Sequence, residues 1–366
     1  FPTNDYSVLQ GQPVTLAVLA PPDSAIICQI QPLGQSLIML PTDMILNNHT
    51  HQFGRPYQSQ MPYPEGQWYT AVLDTTGFPT DEPLTLSYVF ENSNLTYSQQ
   101  AKGLLTIWSA PRYGITTEEE VITRTFPNHG SRLTPLVKGT QLQLTAQQDD
   151  WYRCRPGNYW VDIANVDIHQ SPPALEPARL DSVHIDVTDN GEVAFQLYIN
   201  QCVPVEVQLG QFQLKLRLPS TISYCDVIRF NRNANECGFE DLSWQQSALD
   251  DFPCAELEFN FVSELLGYHY TYDHENGQLL LKVSTKKGLV RFLQQGNPLV
   301  VVVDAGHGGT EKGAMAPDGS AEKDLNLAMA TALQDELRNE NAIKFYISRE
   351  TDDNISLAER TQLAKQ

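Results

Sequence analysis

The chain has 366 residues, a length that predicts two or three domains. Its 44 acidic residues outnumber its 24 basic residues, which gives a net charge of −20 at pH 7. This charge, with no basic cluster in the sequence, argues against nucleic-acid binding. No apolar run reaches membrane-spanning length, and no signal peptide is visible. Because the chain opens at Phe1 rather than at a methionine, we expect a processed or trimmed N-terminus.

The first 112 residues are rich in proline, tyrosine, threonine and glutamine. They contain stretches in which apolar and polar residues alternate, such as PVTLAVLA, QWYTAVLD, LTLSYVF and KGLLTIW. Short alternating stretches separated by turn residues are typical of a β-sandwich, so residues 1–112 are predicted to form an immunoglobulin-like module. His49 and His51 lie in the polar sequence NNHTHQ, which favours a solvated loop over a metal site.

Residues 113–172 resemble the bacterial Src-homology-3-like domains. The family pattern is a strand, an LxKGTxL segment, a DWY segment and a GYW-type strand. The matching residues are Leu136, Lys138 to Thr140, Asp150 to Tyr152 and Tyr159 to Val161. The resemblance implies a small β-barrel of a kind that commonly binds cell-wall peptides.

Trp151 and Trp160 are either ligand-binding aromatics or core aromatics of a small barrel, and for Trp151 the core role is favoured. Tyr152 and the loop at His129 are the better candidates for a ligand-binding surface.

Residues 173–290 show the strongest alternation of the chain, for example in SVHIDVT, EVAFQLYI, FQLKLRL and ELEFNFV. Gly191 and Gly277 each follow an Asn, in DNG and ENG sequences that favour hairpin turns. An all-β module is therefore predicted. Its closing sequence GYHYTYDHENGQLLLKV loosely resembles the AMIN-type domains that precede amidases in bacterial envelope proteins, which implies a targeting role.

Four of the six cysteines, Cys202, Cys225, Cys237 and Cys254, lie close together in the sequence of this module. Their proximity suggests one or two disulfides and an oxidising compartment. Buried free thiols remain the alternative interpretation. The spacings contain no CxxC pair, so a zinc ribbon is not favoured.

The last segment begins with a valine run that predicts a buried strand over Leu299 to Asp304. A glycine-rich turn with one imidazole, His307, follows, and Glu322 stands where a helical pattern starts. A helix to about Glu340, a strand over Ile343 to Ser348 and a helix from the capping box at Ser356 complete a parallel α/β pattern. We expect His307 and Glu322 to converge at the carboxyl edge of this sheet.

The glycine-rich turn at His307 has two other interpretations. A phosphate-binding loop would need a GK[ST] or GxGxxG sequence, and GHGGTEKG supplies neither. A structural turn histidine beside an ordinary first-turn acid is the other alternative, since the helix dipole favours an acidic residue at that position.

The segment from Leu299 to Ala364 resembles the zinc-dependent N-acetylmuramoyl-L-alanine amidases. The elements DAGHGG, EKD and SRETDDNISLAERTQLA occur in the order of that family. The resemblance implies Zn²⁺ as cofactor, with His307 and Glu322 as two of its ligands. The family's third ligand is a later histidine, and its general base is a late glutamate. No histidine follows His307 here, and the general-base glutamate is expected beyond Gln366, so a truncated sequence is expected.

The activity that the resemblance implies is hydrolysis of the amide between N-acetylmuramic acid and L-alanine in peptidoglycan. It further implies export to the periplasm or cell envelope and, as a partner, an envelope or divisome activator protein. The alternative is a non-catalytic wall-binding or targeting protein with an incomplete amidase remnant. Arg349 and Arg360 match arginines of the family and are expected to form structural ion pairs.

The predicted fold is therefore multidomain. Three all-β modules, over residues 1–112, 113–172 and 173–290, precede the first part of an α/β amidase domain with a parallel sheet over residues 296–366.

Overall fold

The computed structural model describes residues 2, 4–42, 66–92, 95–128, 130–169 and 176–365. His49, His51, His129 and Gln366, which the sequence analysis singled out, lie outside the described residues. The described part is mostly β, which confirms the main prediction of fold class. The division into modules at the predicted boundaries stays a prediction.

In the first part of the chain, the described residues form eight strands. They are β1 (Tyr6–Leu9), β2 (Val14–Ala20), β3 (Ala25–Gln31), β4 (Gln35–Thr42), β5 (Gln67–Leu73), β6 (Pro83–Asn92), β7 (Leu95–Gln100) and β8 (Leu105–Trp108). Most neighbours are antiparallel, and β1 and β8 pair in parallel. Alternate residues of the strands point into one core, which includes the fully buried Leu16, Leu84 and Leu86. This alternation is the pattern that the sequence showed.

The second part continues the same hydrogen-bonded sheet. Its elements are β9 (Arg112–Thr116), β10 (Thr123–Arg124), β11 (Gln141–Gln148), β12 (Trp151–Arg155), β13 (Tyr159–Asp162), a 3₁₀ turn (Ile163–Asn165) and β14 (Val166–His169). Strand β1 pairs with β8 on one side and with β11 on the other, so the sheet crosses the predicted boundary near residue 112.

The aromatic residues of this second part are buried. Trp151 and Trp160 pack into the core of the first eight strands. The core role favoured for Trp151 is therefore confirmed, although this core is that of the first part and not that of the barrel. The expectation for Tyr152 is wrong, because this side chain is only 9% exposed. It packs in the barrel core with Leu144 and Cys154 and offers no ligand surface.

The third part is a two-sheet sandwich. Its elements are β15 (Ala178–Val187), β16 (Val193–Ile199), β17 (Glu206–Leu209), β18 (Gln213–Pro219), β19 (Thr221–Phe230), α1 (Asn233–Glu236), β20 (Phe239–Leu249), β21 (Phe252–Phe261), β22 (Leu265–Asp273) and β23 (Gln278–Thr285). One sheet has the order β19-β15-β16-β23-β22 and the other β17-β18-β21-β20. The fully buried rings of Phe195 and Phe259, from opposite sheets, lie 4.4 Å apart between centroids. Both predicted hairpin turns occur, with Gly191 and Gly277 at positive φ.

The disulfide prediction is wrong, because all six cysteines are free and buried. Closeness in sequence did not bring the sulfurs together, since each thiol occupies its own packing site. Cys202 Sγ lies 3.5 Å from Thr140 Oγ1, and Cys254 Sγ faces the carbonyl of Ala255. Burial raises the pKa of both of these thiols to about 11, so both stay protonated near neutral pH.

The last part contains α2 (Lys286–Gln294), β24 (Leu299–Val303), α3 (Glu322–Leu337), β25 (Ile343–Ile347) and α4 (Leu357–Lys365). Strands β24 and β25 pair in parallel, as predicted, and α3 connects them and contacts β25. The predicted capping box is present, because Glu359 N–H donates to Ser356 Oγ at 3.2 Å and Glu359 Oε2 accepts from Ser356 N at 2.8 Å. No helix within the described ranges has the length and apolar character needed to cross a membrane.

The core of this last part is small. Its buried apolar side chains are Ala305, Ala330 and Ile347. Leu325, Met329 and Leu333 recur at four-residue spacing on α3, and they are exposed at 54%, 72% and 43%. Packing of large side chains therefore contributes less to this part than to the sandwich before it.

Candidate metal centre

The turn after β24 has a backbone that few residue types can adopt. Three consecutive residues have positive φ. They are His307 at +61°, Gly308 at +142° and Gly309 at +54°. A Cβ atom at position 308 would lie 2.1 Å from the carbonyl oxygen of Asp353, so only glycine fits there. A non-glycine residue in the left-handed region costs on the order of 1 kcal/mol. The surrounding contacts must therefore hold His307 in place.

The second half of the site is the start of α3. Glu322 is the first helical residue, and its N–H donates to Ala314 O at 2.9 Å. In return, Ala314 N–H donates to Glu322 Oε2 at 2.8 Å, which fixes the carboxylate against the loop that precedes the helix. The positive end of the helix dipole adds a favourable interaction with the negative charge of Glu322.

These two side chains meet, as the sequence predicted. His307 Nε2 lies 3.3 Å from Glu322 Oε2, and the two side chains are 37% and 43% exposed. Gly313 passes directly beside the pair, where a Cβ atom would lie 2.6 Å from Glu322 Oε2 and 2.7 Å from His307 Cδ2. The site is thus an imidazole and a carboxylate side by side, open to solvent on one side.

Arg349 fastens the two halves of the site to each other. Its side chain is 3% exposed, and its hydrogen bonds within the described residues go to backbone carbonyls. Nε donates to Ala305 O at 2.9 Å, and Nη1 donates to Thr351 O at 3.1 Å. Nη2 donates to Gly306 O at 3.3 Å and to Lys323 O at 2.6 Å. Gly306 precedes His307, and Lys323 follows Glu322. One guanidinium therefore sets the distance between the two backbones that carry the pair.

Arg360 holds the turn from the other side. It is 9% exposed and forms an ion pair with Asp304, and it donates to Ala305 O and His307 O, each at 2.8 Å. The predicted ion pair is thus confirmed for Arg360. It is wrong for Arg349, for which the described residues supply carbonyl oxygens and no carboxylate as hydrogen-bond acceptors.

A further link was not predicted. Asp352 accepts from Gly309 N–H at 2.8 Å and pairs with Lys323 Nζ at 2.5 Å, and the same ammonium donates to Gly309 O at 2.9 Å. The hydrogen bond from Lys323, followed by that from Gly309, lowers the pKa of Asp352. The sequence signal existed, since Lys323 is the lysine of EKD and Asp352 follows the strand β25. Nothing in the sequence, however, shows that they meet.

The described residues contain no group of three or more histidine, cysteine, aspartate or glutamate side chains placed to hold one metal ion. Within them, His307 and Glu322 form a two-ligand arrangement at most. The general base that the sequence analysis expects beyond Gln366 stays a prediction, because the described residues end at Lys365 and Gln366 lies outside them.

Comparison with known proteins places the similarity in this same part of the chain. Residues 301–366 match the family described as N-acetylmuramoyl-L-alanine amidase. The chain is 38% identical over 85 residues to N-acetylmuramoyl-L-alanine amidase AmiA of Escherichia coli, a match that covers 23% of this chain and 29% of that protein. It is 34% identical over 67 residues to a putative N-acetylmuramoyl-L-alanine amidase of Buchnera aphidicola, covering 18% of this chain and 28% of that protein.

Among solved structures, the chain is similar to the catalytic domain of CwlV, an N-acetylmuramoyl-L-alanine amidase from Bacillus (Paenibacillus) polymyxa var. colistinus. The identity is 34%, the match covers 18% of this chain and 38% of that one, and the TM-score is 0.18. The chain spans less than a third of the length of the curated relatives it matches. The family match therefore places the similarity to amidases in the last part of the chain.

Proposed function

We propose that this chain functions in peptidoglycan hydrolysis, by cleavage of the amide between N-acetylmuramic acid and the L-alanine of the stem peptide, with a zinc ion bound by His307 and Glu322. The observation that carries the proposal is the 3.3 Å contact between His307 Nε2 and Glu322 Oε2. It lies inside the one segment that matches the amidase family.

The residues present fit zinc in type and in spacing. Zinc takes imidazole nitrogen and carboxylate oxygen at about 2.0–2.2 Å, and catalytic zinc sites are tetrahedral with three protein ligands. Two ligand atoms on such an ion lie about 3.4 Å apart, as simple tetrahedral geometry gives from those bond lengths. The observed 3.3 Å matches this spacing, and the described residues supply two of the three ligands.

The chain's own residues would orient the site. Zinc, when bound, polarises a carbonyl group and activates the attacking water at neutral pH. Ala314 N–H holds Glu322 Oε2, and Arg360 holds the carbonyl of His307, so both donor groups are positioned in advance. Gly313 leaves the space beside the pair free of a side chain.

The β modules would deliver this site to its substrate. We propose that residues 113–172 and 173–290 serve as barrel and AMIN-like targeting modules, that the protein is exported to the periplasm or cell envelope, and that an envelope or divisome protein activates it. The predicted partner is peptidoglycan. The net charge of −20 argues against nucleic acid as a partner.

Metal binding tests the site directly. Zinc binding by chain 1–366 is measured by equilibrium dialysis, with Co²⁺ absorption spectra as a second readout. We expect weak, saturable binding, because two protein ligands bind zinc less tightly than three. His307→Ala and Glu322→Gln should each weaken it at least tenfold, whereas His169→Ala, at an exposed histidine on β14, should leave it unchanged. Unchanged binding in both site variants would show that the metal lies elsewhere.

A second candidate function is wall binding without catalysis, which the two-ligand arrangement favours because catalytic zinc sites use three protein ligands. The two are separated by incubating the protein with purified cell walls. Zinc-dependent release of new alanine amino groups, lost in His307→Ala, supports the amidase. The binding protein is supported if wild type and His307→Ala co-sediment equally with the walls. No gene product that contains this chain should then release alanine amino groups.

A further inference from the structure

A large cleft lies far along the chain from the candidate metal centre, between the second and third parts of the protein. One wall is formed by residues 123, 125 and 132–136 and by the turn 157–159 of the barrel. The other is formed by residues 204–209, with Arg217 and Tyr268. Its volume is about 740 Å³, within the range of about 300–1,000 Å³ that is typical of ligand sites.

The two walls are fastened to each other by hydrogen bonds, so the shape of the cleft is defined. Val207 N–H donates to Thr134 Oγ1 at 3.1 Å, and Gly157 N–H donates to Asp250 Oδ2 at 2.9 Å. Beyond the cleft, Gln141 N–H donates to Cys202 O at 3.1 Å. These bonds join the barrel and the sandwich at separate points around the opening.

The cleft carries charges of both signs. Glu206 is partly buried, and burial is the main cause that raises its pKa, with Asp250 and Glu256 acting in the same direction. Arg217 offsets this effect incompletely, because its guanidinium lies 3.9 Å from Glu206 and is shared with Glu256 at 3.1 Å. Arg217 is thus a distant and shared partner of Glu206, and a further positively charged group in the cleft would stabilise this carboxylate.

The opposite charge is available on the barrel wall. Arg132 is exposed, and its guanidinium has no hydrogen-bond or ion-pair partner among the described residues. Tyr159, which also lines the cleft, has a buried hydroxyl without a partner in the described part of the chain. Buried hydroxyl groups nearly always have a partner, so this one indicates a polar group that the described residues do not supply.

The backbone of the cleft favours an extended chain. Strand β17 is the edge strand of its sheet, and Val207 to Leu209 of this strand line the cleft. An edge strand presents unpaired N–H and C=O groups, which bind an extended peptide by adding it to the sheet. The N–H of Val207 is already occupied by Thr134 Oγ1, so an added peptide would pair with the other main-chain groups of this edge.

From the edge strand and the two opposite charges on the facing walls, we infer that this cleft binds a short extended peptide with free ends, whose amino group faces Glu206 and whose carboxylate faces Arg132. The edge of β17 supplies main-chain hydrogen bonds, and the two charges set the direction of the peptide. The inference does not depend on the zinc site, because no residue of the metal centre lines the cleft.

The test titrates the intact protein with alanine peptides of three to five residues, each with free ends, and follows backbone amide shifts of Gly157, Val207 and Leu209 by NMR. At least one length should bind saturably and shift these amides. Blocking both ends, by N-acetylation and C-amidation, should weaken the binding at least tenfold.

Variants assign the ends. Arg132→Ala should weaken binding of the free peptide at least fivefold and should not affect a C-amidated peptide. Glu206→Gln should likewise weaken binding of the free peptide at least fivefold, and it should not affect binding of an N-acetylated peptide. Arg338→Ala and Glu240→Gln, at exposed positions outside the cleft, are the matched controls and should change nothing.

Three results would overturn the inference. They are the absence of shifts at all three peptide lengths, equal affinity for free and doubly blocked peptides, and equal losses in the control variants and the cleft variants. All readouts are independent of hydrolysis, so a failure of the proposed amidase function would leave this test unaffected.

Discussion

Replacement of Arg349 by lysine tests whether carbonyl contacts, rather than packing, hold the metal centre together. Lysine keeps the positive charge but has no planar fork, so it cannot reach acceptors on both sides of the site at once. Of the four carbonyls that Arg349 contacts, those of Gly306 and Lys323 belong to the His307 turn and to the start of α3. We expect lysine to keep contacts on one side and lose those on the other.

The size of the effect follows from the contacts. A hydrogen bond to a charged group contributes about 1.5–3 kcal/mol. Loss of two of them in a side chain that is 3% exposed should therefore cost about 3–6 kcal/mol. The small core of Ala305, Ala330 and Ile347 offers little to offset that loss. Since about 1.4 kcal/mol is a factor of ten in an equilibrium constant, local opening should become at least a hundredfold more frequent.

Native-state hydrogen exchange measures this opening. The amides of Ala305 and Gly309, bonded to Ser348 Oγ and to Asp352, should exchange at least a hundredfold faster in Arg349→Lys. Arg338→Lys is the matched control, because Arg338 is exposed and pairs with Asp335 on the surface of α3. That pair should contribute less than about 1 kcal/mol. Exchange in Arg349→Lys within twofold of the wild type would refute the argument.

Three further predictions follow from the same structure. Gly308→Ala should destabilise the turn by more than about 2 kcal/mol in urea unfolding, because its Cβ would meet the backbone of Asp353, whereas Gly319→Ala, with open space around it, should cost about 1 kcal/mol. The lowered pKa of Asp352 stabilises the folded protein above its ordinary value of 3.8, and this contribution is lost as the pH falls through the folded value, so Asp352→Asn should flatten the acid limb of a stability–pH profile. All six thiols should be unreactive to a thiol reagent in the native protein and all six should react after denaturation without reductant, and fewer than six would contradict the free cysteines.

The sequence predicted the elements that build the metal centre to within a few residues. The valine run gave β24, with its end at Val303 rather than Asp304, and the EKD motif gave the start of α3 at Glu322. These features are local, since apolar periodicity and turn residues record secondary structure directly. The convergence of His307 with Glu322 followed from the parallel order of strand, helix and strand.

The contacts that fix this geometry could not be predicted in the same way. Arg349 donates to backbone carbonyls, which every residue has, so no partner can be identified from residue types. The disulfide prediction failed for a related reason, because spacing along the chain does not report distance in space when the residues lie on different strands and loops. The cleft at β17 forms between two parts of the chain and has no single motif.

A last prediction concerns linkage between metal binding and local stability. The small core of this segment contributes little stability, and the two candidate ligands lie on separate elements. An ion that binds both His307 and Glu322 binds only the state in which these two side chains lie together. At a free ion concentration of a hundred times its Kd, it stabilises this state by about 2.7 kcal/mol. Zinc at that excess should therefore slow exchange of the Ala305 and Gly309 amides about a hundredfold.

The same amides report the outcome in variants. His307→Ala should abolish the effect of zinc on their exchange, and His169→Ala should retain it in full. Arg349 joins the two elements through their backbones, and zinc would join them through the side chains of His307 and Glu322. Both would oppose the same local opening, so zinc should restore part of the exchange protection that is lost in Arg349→Lys. Equal protection by zinc in wild type and His307→Ala would show that the ion acts elsewhere, and the 3.3 Å contact would then be an ion pair and nothing more.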